Sequence, residues 1–220
     1  GSNHTGGGGG RVAIHAAFVD PNADLGGLRS VTARGGDGLY ADGAAGTVFV
    51  HLAGDADGTL IVDGVMPDGQ TAPVATALPP IGPGTAVSVT ADALTLDGRL
   101  PRLPTPDALV GLRLNPNVVQ GESFEIAANT ADAITVVTPN ENGVEFAAVA
   151  AAGASYSGEW HFDRIVLRRG AFLEAADPLL VAESLAVTEH SWLAHPATTQ
   201  VYAGDLVIDA GLVSIDATSR

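Results

Sequence analysis

Three short apolar runs constrain this chain more than any other feature: Ile165, Val166 and Leu167 recur as Leu185, Ala186 and Val187, then as Leu206, Val207 and Ile208. Each run is followed at a similar offset by a second apolar cluster, Phe172 with Leu173, Trp192 with Leu193, and Val213 with Ile215. In a stacked β-structure the inward residues of one coil pack on their equivalents one coil later, so a steady period is physically required. The residues between the runs (Arg168, Arg169 and Gly170; Glu189 and His190; Asp209, Ala210 and Gly211) suit solvent-facing corners. A helical-hairpin repeat would need a period above about 30 residues and helix-length apolar stripes, which this stretch lacks. The spacing predicts a solenoid over residues 160–220, with Ile165, Leu185 and Leu206 in one inward stack; a β-sandwich is the alternative.

A chain of 220 residues is long enough to bury a core as one large all-β domain or two smaller ones. It carries 28 glycines and only 5% aromatics, so that core is built from small side chains in narrow layers. The formal charge of −15 argues against nucleic-acid binding, which needs clustered cations on phosphates. All ten basic residues are Arg, and the absence of Lys excludes Schiff-base chemistry, a phosphate-loop lysine and Lys–Asn isopeptide cross-links. The absence of Cys excludes disulfides, thiolate nucleophiles and sulfur-based zinc sites. An acidic, Lys-free and Cys-free chain leans toward a secreted bacterial repeat protein. No window approaches the length of an apolar membrane span, so no membrane insertion is expected. The chain reads as an excised piece of a longer protein, with neighbouring segments of that protein among its partners.

Along the chain, five consecutive glycines at 6–10 hold regular structure only where another backbone packs closely against them. RVAIHAAF then alternates as a strand, with Val12, Ile14, Ala16 and Phe18 on one face. A Gly-rich loop, RGGDGLYADGAAG, leads to TVFVHLAG and TLIVDGV, two strands able to pair as a hairpin around GDADG. The proline-rich stretch 67–84 reads as an extended connector. Strand signals resume in AVSVTADALTLDGRL. Residues 109–158 read as a small inserted antiparallel meander, in which FAAVAAAGA is open to either a helix or a strand. The expected organisation is therefore a Gly-rich β-helix part at 1–108, the insert at 109–158, and β-helix coils at 159–220.

The order GGGGGRVAIHA, ARGGDG, GAAGTVFVHL and TLIVDG, followed by FDRIVLRRGAFL and ESLAVTEHSWL, resembles segments of very large, Gly-rich bacterial surface or secreted proteins. That resemblance implies a right-handed parallel β-helix and a place at the cell surface or outside the cell. It carries over no catalytic residue.

Among constellations that bear chemistry, Asp20, Asn22 and Asp24 look like the start of a calcium loop, but Leu25 stands where the turn glycine belongs and Val31 where a bidentate Glu would close the shell. A solvated turn explains the same residues. Asp55 and Asp57, with Asp37 and Asp42, form a second acidic group that a polar hairpin tip also explains. GASYSG, around Ser155 and Ser157, is one residue too long for a nucleophile elbow. None of the six histidines are spaced as a helical zinc site; His190 and His195, flanking Trp192, are the nearest to a metal pair. Tyr156, Trp160 and Trp192 are the aromatics best suited to stack on a carbohydrate if they face outward, although scarce aromatics more often pack in cores. The outward arginines Arg164, Arg168 and Arg169 lack the acidic row that a polysaccharide-processing sheet would show. The residues thus point to a non-enzymatic, adhesin-like structural segment, a rigid stalk or display scaffold facing a surface protein or glycan. The alternative is a carbohydrate-binding or polysaccharide-processing module. No cofactor is expected beyond calcium.

Overall fold

The computed structural model of the chain describes residues 6–18, 31–36, 38, 42–65, 74–98, 106–107, 109–197 and 206–220. Within them the fold is all-β, in mixed sheets. Strand β1 (Arg11–Ala16) pairs in parallel with β2 (Thr47–Leu52), and β2 turns through GDADG into antiparallel β3 (Thr59–Asp63), the hairpin expected from the sequence. One face of these strands gathers Val12, Ile14, Val48, Val50, Leu52 and Ile61 under Val31 and Ala33. The opposite face carries Leu60 and Val62 into a larger core. Phe18, which alternation puts on the same face as Val12 and Ile14, is 79% exposed, because β1 ends two residues before it.

The glycine run is held as its composition demands. Segments 6–10, 33–36 and 43–46 lie backbone against backbone, with Gly9 N donating to Ala44 O at 2.8 Å and Gly36 N to Gly7 O at 2.8 Å. A Cβ added at Gly9 would lie 2.0 Å from the Ala33 oxygen, and one at Gly46 would lie 1.8 Å from the Gly10 oxygen. Crowded and open positions alternate with the period of three that belongs to a polyproline II-type backbone.

After the short β4 (Thr76–Ala77), the chain enters a second apolar cluster containing Ile81, Leu94, Leu114, Phe124, Ile134 and Tyr156. Its strands β5 (Gly84–Val89), β6 (Ala93–Leu96), β7 (Arg113–Asn115), β8 (Phe124–Asn129) and β9 (Ala133–Val136) pair antiparallel. The cluster therefore reaches back across the 108/109 boundary read from the sequence. Two hairpins here share one design. Ala86 faces Leu96 and Val89 faces Leu94 in the first; Ile126 faces Val136 and Asn129 faces Ile134 in the second, with an irregularity at the same place in each. At the tips Thr90 N donates to Ala93 O at 2.8 Å and Thr130 N to Ala133 O at 2.9 Å. The hairpins meet with Leu94 opposite Ile134, while Leu96 N donates to Asp132 O and Val136 N to Asp92 O, both at 2.8 Å. That reciprocal exchange is a local two-fold symmetry. The segment left open between helix and strand forms one helical turn, α1 (Phe146–Val149), whose Phe146 packs edge-on against Phe124.

The long strand β10 (Ser155–Arg168) belongs to both regions: its first residues pair antiparallel with β5 and β7, its later ones in parallel with β3. β11 (Phe172–Glu174), β12 (Leu179–Val187), β13 (Trp192–Ala194), β14 (Ile208–Ala210) and β15 (Val213–Ile215) follow. Parallel pairing places Leu60, Ile165, Leu185 and Val213 side by side across four strands, and a second, three-stranded sheet aligns Thr76, Leu173 and Leu193. Two features of the expected stack are corrected. Val213, not Leu206, stands opposite Leu185, because β12 starts early at Leu179 and takes Ile208 as its first partner there. Val213 and Ile215 consequently do not lie on Trp192 and Leu193; instead Leu193 N donates to the Arg220 carbonyl at 3.0 Å. A parallel solenoid through the whole of 1–108 and 159–220 is also not what the sheets form, since β2 runs against β3 and residues 84–96 join the antiparallel region.

Candidate functional site

Three carboxylates embedded in apolar sequence organise the junctions of the fold. Asp177, in the turn between β11 and β12, is buried and accepts hydrogen bonds from the amides of Ile81 and Gly82, where the chain leaves the stacked strands, and of Gly158, where it returns. The distance to Gly82 N is 2.9 Å and to Gly158 N is 3.1 Å. A side chain at position 158 would collide with both Ile81 and the Asp177 carboxylate, so glycine is needed for this approach. Burial pushes the Asp177 carboxyl up to about 6, against the three amides that favour its charged form and with the help of nearby Glu159.

Asp163 sits at the irregularity in the β10–β12 ladder, and its Oδ2 accepts from the amides of Ala56, Asp57 and Gly58, which fixes the β2–β3 turn. Asp63 ends β3 with no side-chain exposure, and the guanidinium groups of Arg34, Arg168 and Arg169 surround it. Two of the outward arginines thus rest on an acid from a neighbouring strand, and Arg164 pairs with Glu183. None of these partners is close in sequence.

A polar cluster lies where β10 crosses from the antiparallel region to the stack. His161 Nε2 is 3.1 Å from Glu159 Oε2, and Asn115 Nδ2 reaches Glu159 Oε1 at 3.4 Å. Burial raises the Glu159 carboxyl, but hydrogen bonds from His161, Ser123 and Asn115 outweigh it and hold the group below the usual carboxylate range. Nearby, Arg113 grips Glu141 through two bonds of 2.9 and 2.8 Å, and Asn140 and Asn142 donate to Glu122. These bonds make the cluster a cross-brace between β7, β10 and the 140–143 turn.

The residues singled out from the sequence are dispersed. Asp20, Asn22 and Asp24 lie outside the described residues, as does Asp37; Asp42 accepts from Gly38 N and Asp55 from Leu52 N, as turn residues do. Tyr156 is fully buried in the antiparallel core and presents no ring to solvent. Trp160 stacks on Phe162, with centroids 6.1 Å apart, at the edge of the large core, and its indole nitrogen is buried without a partner among the described residues. Trp192 packs edge-on against Phe172 and carries the Arg220 guanidinium over its ring. The three aromatics therefore form no common platform. Ser155 and Ser157 lie within a regular strand, without the tight turn of a nucleophile elbow. His190 occupies a left-handed turn, and His195 Nδ1 is 2.7 Å from the Pro196 carbonyl. Among the described residues no group of three or more His, Asp and Glu is placed to hold a metal ion, and no helix is long and apolar enough to cross a membrane.

No protein family matches the chain, and neither curated proteins nor solved structures give a match.

Proposed function

We propose that this chain is a structural, non-enzymatic segment of a bacterial surface or secreted protein, a stalk element that displays its antiparallel region on the side of stacked coils. In this reading the parallel strands are successive coils of a right-handed β-helix, and residues near 81–158 are an insertion held by Asp177. The observation that carries it is the in-register row Leu60, Ile165, Leu185 and Val213, in which each strand templates the next. Buried carboxylates used as braces, with Tyr156, Phe124 and Phe146 packed in the core, fit a molecule whose output is shape.

Two measurements test it. Antibodies to the chain should label intact producing cells or recover it from the medium, and labelling only after lysis would overturn the placement. The purified chain should leave a panel of neutral and acidic polysaccharides uncleaved. Cleavage would establish the processing alternative instead.

A further inference from the structure

We propose that His15 and His51 form a two-imidazole site for a divalent transition-metal cation, Zn2+ or Cu2+, which staples the first strand to the sheet. The two residues are 36 positions apart in the chain, yet the parallel ladder of β1 and β2 sets them directly opposite one another, on the same face. Their ring centroids are 6.0 Å apart, with planes inclined by 35°. Two imidazoles sharing one metal at about 2.0–2.1 Å per nitrogen, near a tetrahedral angle, have centroids about 5 Å apart. The remaining gap is about 1 Å between two rings on directly paired residues, and metal binding requires the side chains to rotate to close it. Among the described residues no hydrogen bond engages either imidazole.

The surroundings hold the pair in place and favour a cation. Phe49 lies 5.7 Å from the His15 ring and 6.3 Å from the His51 ring, an apolar floor that limits how far either can swing. Behind both strands Val12, Ile14, Val48 and Val50 are packed together, so the ladder is anchored from its other face. His15 is exposed and His51 half-buried, which leaves the outer positions of the metal open to water. A chain with a formal charge of −15 and no Lys attracts cations. Nitrogen donors select borderline transition metals over the oxygen-seeking Ca2+ and Mg2+, and Cu2+ binds such a pair more tightly than Zn2+. Among the described strands β1 is paired with β2 alone, and a chain without Cys has no disulfide to secure it. A bridge from His15 to His51 supplies that cross-link.

Isothermal titration with Zn2+ and electron paramagnetic resonance with Cu2+ test the site on the whole chain. One equivalent should bind, with a hyperfine pattern of two imidazole nitrogens, and Zn2+ should raise the melting temperature. H15A and H51A should each weaken binding by about tenfold or more, leave a single nitrogen in the spectrum and abolish the thermal shift. H15Q and H51Q, closer in volume to histidine, guard against an effect of altered packing, and circular dichroism checks that each variant is folded. H190A should bind as the unaltered chain does. Binding that survives in H15A and H51A, or an unaltered chain that takes up neither metal, overturns the proposal.

Discussion

Leu94 faces Ile134 across the ladder that joins two hairpins of one design, and the backbone bonds on either side of the pair are exchanged reciprocally between the two halves. Both side chains are fully buried, 1% and 0% exposed. Truncating either to alanine should therefore cost a similar amount, about 2–5 kcal/mol, and the double variant should lose less than the sum because the two cavities merge. Urea denaturation of the single and double variants measures this; strongly unequal single losses would contradict the symmetry.

The halves differ where Tyr156 lies over Gly84, at the place where Leu114 faces Phe124 in the other hairpin. A Cβ at position 84 would come within 2.3 Å of the tyrosine hydroxyl. Gly84→Ala should destabilise the fold by about 1–3 kcal/mol through overpacking. Adding Tyr156→Leu should recover part of that loss, since it gives the smaller partner that the other half uses. Thermal unfolding of the single and paired variants decides; a pair that is simply additive counts against this reading.

Asp177 links stability to pH. Its folded pKa, about 6, lies above the ordinary aspartate value of 3.8, so the folded chain holds this proton more tightly than the unfolded one. The stabilisation is complete below the unfolded value and is lost as pH rises through the folded value. A shift of this size corresponds to about 3 kcal/mol. The stability of the unaltered chain relative to Asp177→Asn should fall by that order from about pH 4 to about pH 7. Chemical denaturation across this range gives the two curves, and parallel curves would refute the linkage.

The stack predicts a graded response. Leu185, 1% exposed between Ile165 and Val213, should cost about 2–5 kcal/mol as alanine. Ile215, opposite Val187 on the last strand of the same ladder, is 54% exposed, and its truncation should cost less than about 1 kcal/mol. Equal losses would mean that the last strand is covered.

The parts of this fold legible from sequence are those fixed by local pattern. Alternation alone places Val12 with Ile14, Val48 with Val50, and the hairpin around GDADG, because a half-buried strand repeats every two residues. The match of Ile165 to Leu185 and of Phe172 to Trp192 is legible because a short corner leaves the chain little freedom between them. Leu206 falls out of register because the longer path from His195 to Ile208 removes that constraint. The duplicated hairpin has a signal, Thr-Ala-Asp-Ala at 90–93 and again at 130–133, but four residues are little to set against the low complexity of the chain. The braces have a weaker one: Asp163 and Asp177 are acids inside apolar runs, yet their amide partners are 105 and 95 positions away at Gly58 and Gly82. The orientation of Tyr156, Trp160 and Trp192 is not legible, because scarcity of aromatics says nothing about which way each one points.

The three glycine-rich segments bear on how such a chain diverges. A repetitive, nearly featureless stretch is ordinarily where sequence drifts most freely, and Gly7, Gly8 and Gly10 do have open space around a would-be side chain. Gly6, Gly9, Gly43 and Gly46 do not, since a Cβ added at any of them would fall 1.8–2.0 Å from a neighbouring carbonyl oxygen. Substitutions in this region should accordingly survive in a rhythm of threes, so that what looks monotonous is a pattern of permitted and forbidden sites written in a single letter.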